Sequence, residues 1–153
     1  MPPTIPMALF ISSLNSGSNG NCYYIGNETE AILIDAGISC RETEKRMKRS
    51  GLSMEKVKAI FISHEHGDHI SGLPVLSRKH KLPVYITAAT ERFGNLTLDK
   101  KLVNRFTADE PVTIGNLSIT AFQKEHGRVP AIAYMHSVMI TGEKVAHQKP
   151  MLQ

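Results

Sequence analysis

The chain has 153 residues, 41% apolar and 21% charged, which suffices for one packed domain and excludes both global disorder and two full-sized domains. Its formal charge of +4 attracts polyanions only weakly and is no argument by itself for nucleic-acid binding. No apolar run approaches the roughly 18 residues of a membrane span. Met1–Phe10 has neither a basic start nor a long apolar core, so a secretory signal is not expected and the cytoplasm is the expected compartment. Two cysteines, Cys22 and Cys40, make no disulfide framework and are expected reduced and buried.

Residues 1–7 hold three prolines and read as a loose leader; 8–145 read as the domain and 146–153 as an atypical tail. Ala8–Leu14 is the first expected strand, followed by a polar turn loop, Asn15-Ser-Gly-Ser-Asn-Gly-Asn21. Cys22–Ile25 and Ala31–Ala36 suggest a hairpin. Ser39 and Glu42 have the spacing of a capping box, opening a helix to about Ser50 that Gly51 ends. That helix has a thin apolar face of Cys40, Thr43 and Met47. Its remainder is basic (Arg41, Lys45, Arg46, Lys48, Arg49), either a solvated outer surface or a polyanion-contacting one.

Lys58–Ser63 reads as a buried strand, His64–Ser71 as a loop, and Ser71 as the cap of a helix over Gly72–His80. Lys79, His80 and Lys81 form a small basic cluster at its end, read as a solvated helix terminus in preference to a phosphate site. Pro83–Thr87 is a strand and Ala88–Phe93 a short helix. Leu102–Phe106, Val112–Ile114 and Leu117–Phe122 are strands, the last two joined by a Gly115-Asn116 turn, and His136–Thr141 is a final strand.

The chemistry is concentrated in Ile62-Ser-His-Glu-His-Gly-Asp-His69, a His-x-His-x-Asp-His pattern. With seven histidines in the chain, composition alone would produce it on the order of a few times in ten thousand such chains. In an extended segment residues two apart face the same way, so His64 and His66 can converge on one ion, while Asp68 and His69 lie past the turn and can aim at a second. Imidazole with carboxylate suits Zn²⁺, with Mn²⁺ or Fe as the other options.

This motif, with Leu33-Ile-Asp-Ala-Gly37 before it, resembles the metallo-β-lactamase-fold hydrolases. Ser13-Leu-Asn-Ser-Gly-Ser-Asn-Gly-Asn-Cys-Tyr-Tyr24 and Phe61-Ile-Ser-His-Glu-His-Gly-Asp-His-Ile-Ser-Gly72 resemble its YycJ/WalJ-like branch, linked to DNA exonuclease activity. The resemblance implies an α+β fold: the N-terminal half of an αββα sandwich, a mixed sheet with flanking helices. It implies His64 and His66 on a first metal, Asp68 and His69 on a second, and His126 as a further ligand of the first. Asp68 would also orient or deprotonate the attacking water. Asp35 would stand beside the site as a supporting acid, with Asn19 and Asn21 near its mouth. The implied activity is metal-dependent hydrolysis by a metal-bound hydroxide, with nucleic acid as substrate.

The chain departs from the branch after His126, which is followed by Gly-Arg-Val-Pro. The family's later Thr-Asp-Leu-Gly-type segment, whose aspartate bridges both metals, has no counterpart: no aspartate follows Asp109, and the sequence ends Ala146-His-Gln-Lys-Pro-Met-Leu-Gln153. A C-terminal truncation is therefore expected, with two metals in the family and one held well here. A bare apolar sheet face through which two copies could dimerise is expected as well. The alternatives are a catalytically incomplete fragment binding at most one metal, or a hydrolase of a small ester, thioester or lactam. A purely nucleic-acid-binding module lacks a stacking platform, since there is no tryptophan and aromatics are 6%.

Overall fold

The computed structural model describes residues 9–63, 67–107, 109–122, 137–142 and 149–150. Six strands form the first sheet: β1 (Phe10–Asn15), β2 (Cys22–Gly26), β3 (Ala31–Ile34), β4 (Val57–Phe61), β5 (Val84–Ile86) and β6 (Val103–Arg105), in spatial order 1-2-3-4-5-6. The first three are an antiparallel meander, and β3 to β6 are parallel. Parallel neighbours need crossovers. These are α1 (Cys40–Arg49) with a 3₁₀ turn at Met54–Lys56, then α2 (Gly67–Ile70) and α3 (Leu73–His80), then α4 (Ala88–Phe93). The mixed sheet with flanking helices is the architecture expected.

The first sheet is apolar on both sides. Leu33, Ile60, Ile62, Val84 and Ile86 pack against Met47 of α1 and Leu73 and Leu76 of α3. Ile25, Ile32, Ile34, Ala59, Phe61 and Phe106 form the other face. Burial on two sides is why β3 and β4 read as nearly unbroken apolar runs. The second face is not bare. A second sheet of β7 (Val112–Ile114), β8 (Leu117–Phe122), β9 (Ser137–Gly142) and β10 (Lys149–Pro150), in order 10-9-8-7, lays Leu117, Ile119 and Ala121 onto it. The apolar face expected to drive dimerisation is thus covered from within the chain. On the far side of β8, Ser118 and Thr120 are polar and half-buried. The tail is structured in part, since Lys149 and Pro150 pair with Ile140 and Met139.

A buried carboxylate joins the two sheets. Glu30, before β3, accepts from the Asn116 backbone N–H at the β7–β8 turn, from Thr29 Oγ1 and from Asn27 Nδ2. Burial alone would raise its pKa, but these hydrogen bonds and the charge of Lys58 together hold it below the usual carboxylate value.

Helix α1 starts as read: Ser39 Oγ accepts from the Glu42 N–H at 3.1 Å, and Gly51, at φ +72°, follows the Ser50 cap. The Glu42 carboxylate does not complete the capping box but pairs with Arg46 Nε at 3.1 Å. Arg46 also donates to Leu14 O and Asn15 Oδ1, at 2.9 and 2.6 Å, tying α1 to the end of β1. Arg41, Lys45, Lys48 and Arg49 are exposed. Ser71 does not cap α3. Its hydroxyl donates to Gly37 O at 2.6 Å, and α3 begins after Gly72 without a side-chain cap. The loop read over 64–71 contains the single turn α2.

Candidate active site

The site lies where β3 and β4 end side by side. Asp35 follows β3 directly, and its φ of +65° turns the chain out of the strand. Few residues adopt this left-handed conformation, and aspartate is among those that tolerate it. The Asp35 N–H still donates to Phe61 O at 2.8 Å, so the turn is anchored to β4. The side chain is almost fully buried, 1% exposed, and its oxygens are well used. Oδ1 accepts from the Ser63 backbone N–H at 2.7 Å, and Oδ2 from the Ser63 hydroxyl at 2.5 Å.

Oδ2 also meets Nδ1 of His69, on α2, at 2.6 Å. A carboxylate only accepts, so the proton of this bond sits on Nδ1. In the neutral ring the lone pair is then on Nε2, which lies 3.7 Å from Asp68 Oδ2. A carboxylate holding the far nitrogen of an imidazole is the usual support for a metal-binding histidine.

Asp68 is held by the polar loop after β1. The Asn21 N–H donates to Asp68 O at 2.6 Å, and Asn21 Nδ2 lies 3.2 Å from the same carbonyl and 3.3 Å from Asp68 Oδ2. The Asn21 amide also bonds Gly17 in both directions at 3.1 Å, fixing the loop on itself. The segment after β3 is clamped between these elements: Gly37 N–H donates to Asn21 O and Ala36 N–H to His69 O, at 2.9 and 2.8 Å. The approach is so close that a Cβ on Gly37 would stand 1.8 Å from Asp68 O, and one on Gly72 1.7 Å from Ile38 O. Glycine is required at both places by contact with backbone that cannot move aside.

Of the residues singled out from sequence, the structure brings together Asp35, Asp68, His69 and Asn21. Asn19 is exposed on the loop and is not part of this network. His64, His66 and His126 lie outside the described residues. Ser63 is an addition from the structure: it bonds Asp35 twice and lies 3.5 Å from His69 Nδ1, and its only sequence signal is its place just before the histidine motif. Cys22 is core. Burial, with the charge of Asp35 adding to it, pushes its thiol far above the ordinary thiol range, which leaves it unreactive.

The donor set suits a divalent cation. An oriented imidazole nitrogen and a carboxylate oxygen 3.7 Å apart can both approach the ~2.0–2.2 Å bond lengths of zinc with small side-chain shifts. Residues 16–138 match the metallo-beta-lactamase superfamily. The chain belongs to that superfamily. It is 37% identical over 133 residues to exodeoxyribonuclease YycJ of Bacillus anthracis, covering 84% of this chain and 50% of that protein. Ribonuclease Z of Pyrococcus abyssi is 34% identical over 126 residues, covering 71% of this chain and 39% of that protein. The chain thus spans half or less of the length of these curated relatives. Among solved structures, a B3 metallo-beta-lactamase with an active-site glutamic acid superposes with a TM-score of 0.72 at 14% identity, covering 93% of this chain and 58% of that one. That likeness speaks for the fold alone.

A second group of donors lies on the outer helical layer. Cys40 and Glu44, one turn apart on α1, and His80 at the end of α3 place one ligand atom each within 4.8 Å of one another. Nothing in the sequence joins them. Lys79 and His80, read as a solvated helix end, both contact Glu44 Oε2, at 2.7 and 2.8 Å. Among the described residues, no helix is long and apolar enough to cross a membrane.

Proposed function

We propose that the chain is a metal-dependent phosphodiesterase acting on nucleic acid, with zinc as the working metal. The observation that carries this reading is the Asp35–His69 bond, which turns Nε2 toward Asp68. Asp68 and His69 would hold a metal at the position described, and His64, His66 and His126 would hold one at the neighbouring position. A divalent cation in this position supplies a water of lowered pKa and neutralises negative charge developing on a phosphoryl oxygen.

The protein's own groups do the rest. Asp35, fixed by Ser63, keeps the proton on His69 Nδ1 and stops the ring from turning. Asn21 restrains the Asp68 carboxylate from one side, so that its other lone pairs can accept the proton of the attacking water. The relatives named for deoxyribonucleic and ribonucleic acid cleavage support a phosphodiester substrate. Both described cysteines are free thiols, which supports the cytoplasm as the working compartment.

End-labelled single-stranded DNA and RNA, incubated with the purified chain and added Zn²⁺ or Mn²⁺, test the proposal. Nucleotide release that stops on chelation and falls by at least about a hundredfold in Asp68→Asn is the expected result. Release unaffected by chelator or by that substitution, or no release from either nucleic acid with the folded, metal-loaded protein, overturns it.

A further inference from the structure

The Cys40, Glu44 and His80 cluster belongs to no part of the candidate active site. Cys40 and Glu44 are four residues apart on α1, so helix geometry alone puts them on one face. His80 comes from the last turn of α3, the neighbouring helix on the same face of the sheet. The three side chains offer a soft thiol, an imidazole and a carboxylate, a set typical of zinc.

Their arrangement is three-sided and open. Cys40 is buried at 6% exposed, while the His80 and Glu44 side chains are 23% and 30% exposed. Glu44 and His80 also line a cavity of about 420 Å³ with Met47, Leu52 and Met54, which gives an ion a path in from solvent. We propose that Cys40, Glu44 and His80 form a second metal site that takes a borderline-soft divalent cation such as Zn²⁺, with a water in the fourth position. The site staples α1 to α3.

Occupancy exchanges protons and a lysine contact for the cation. Without a metal, burial and the nearby Glu44 carboxylate keep the Cys40 thiol protonated, with Lys79 opposing them only in part. Nε2 of His80 donates to Glu44 Oε2, and Lys79 Nζ shares that oxygen. A divalent cation replaces the thiol proton, which leaves to solvent, and takes the place of the Nε2 proton, which leaves or reappears on Nδ1. Thiolate and carboxylate then balance its two charges. Lys79, 57% exposed, swings into solvent.

Cobalt reports this site selectively, because a cobalt–thiolate charge-transfer band requires a cysteine ligand. The candidate active site's proposed ligands include none, and Cys22 is fully buried. Titrating the full reduced chain with Co²⁺ is expected to raise that band in the wild type and in Asp68→Asn. It is expected to vanish in Cys40→Ser and to need at least about tenfold more cobalt in His80→Ala and Glu44→Gln. Zn²⁺ is expected to abolish it by displacement. No thiolate band in the wild type, a band that survives Cys40→Ser, or a band indifferent to both His80→Ala and Glu44→Gln overturns the proposal. Because Asp68→Asn keeps the band, the outcome is independent of the nuclease reading.

Discussion

Asp35 and Glu44 each meet a histidine through one carboxylate oxygen, at 2.6 and 2.8 Å, yet the two pairs are built in opposite ways. Asp35 is buried, follows a central strand, and is already satisfied by two hydrogen bonds from Ser63 before His69 arrives. It takes the proton on Nδ1 and leaves Nε2 facing Asp68. Glu44 is half-buried between helices, shares its oxygen with a surface lysine, and occupies Nε2 itself. The first pair is fixed in advance of any ligand; the second must rearrange to accept one. The same pairing of carboxylate and imidazole thus yields a preorganised centre or an adjustable one, according to how deeply the carboxylate is buried and which other donors hold it.

The largest effect should come from breaking the preorganised pair. Asp35→Ala strands the buried Ser63 N–H and releases His69. It should cost about 3 kcal/mol in urea denaturation and abolish the metal-dependent hydrolysis proposed above. Ser63→Ala, which keeps the backbone bond to Oδ1, should cost only about 1 kcal/mol, and equal losses from the two substitutions would deny that Asp35 organises the region.

Glu30 provides the intermediate case, buried like Asp35 but remote from the chemistry. Its folded-state pKa is lowered, so its stabilising contribution is present above the ordinary glutamate value and is lost as pH falls through the folded value. Glu30→Gln should cost about 2 kcal/mol at neutral pH and make the loss of stability below about pH 4.5 visibly smaller than in the wild type. Parallel pH profiles for the two proteins would place that acid sensitivity elsewhere. The smallest effect belongs to the adjustable pair. In metal-free buffer, Glu44→Gln should change stability by no more than about 0.5 kcal/mol, and 1 M salt should erase even that.

Local signals made much of this architecture legible. Ser39 and Gly51 bound α1, Gly115-Asn116 turns β7 into β8, and the apolar run over Lys58–Ser63 marks β4 as a buried strand. What escaped was long-range. Ser71 looks like a helix cap, but Gly37 O lies within reach of its hydroxyl, and nothing near Ser71 in sequence says so. Ser63 is an ordinary strand-end serine until the positive φ of Asp35 turns a carboxylate toward it. His80 and Cys40 are forty positions apart and become neighbours only because two crossovers return to the same side of the sheet. The covering of the inner face by β7 and β8 is equally hidden. Their alternation of Leu117, Ile119 and Ala121 with polar residues marks a half-buried strand, but it does not say which apolar surface the buried half will meet.

The Glu30–Asn116 bond spans 86 residues of chain, one of the longest sequence separations among the contacts described. Closing so long a loop is entropically unfavourable until the intervening strands and helices have already shortened it. The meander and parallel crossovers are therefore expected to assemble first, with the β7–β8 hairpin docking later. Amide protons of β8 should then gain protection after those of β3 and β4 in a pulse-labelled refolding experiment. On that order Ile25, Ile32, Phe61 and their neighbours would face water until the hairpin docks, an exposed apolar face that favours aggregation during folding.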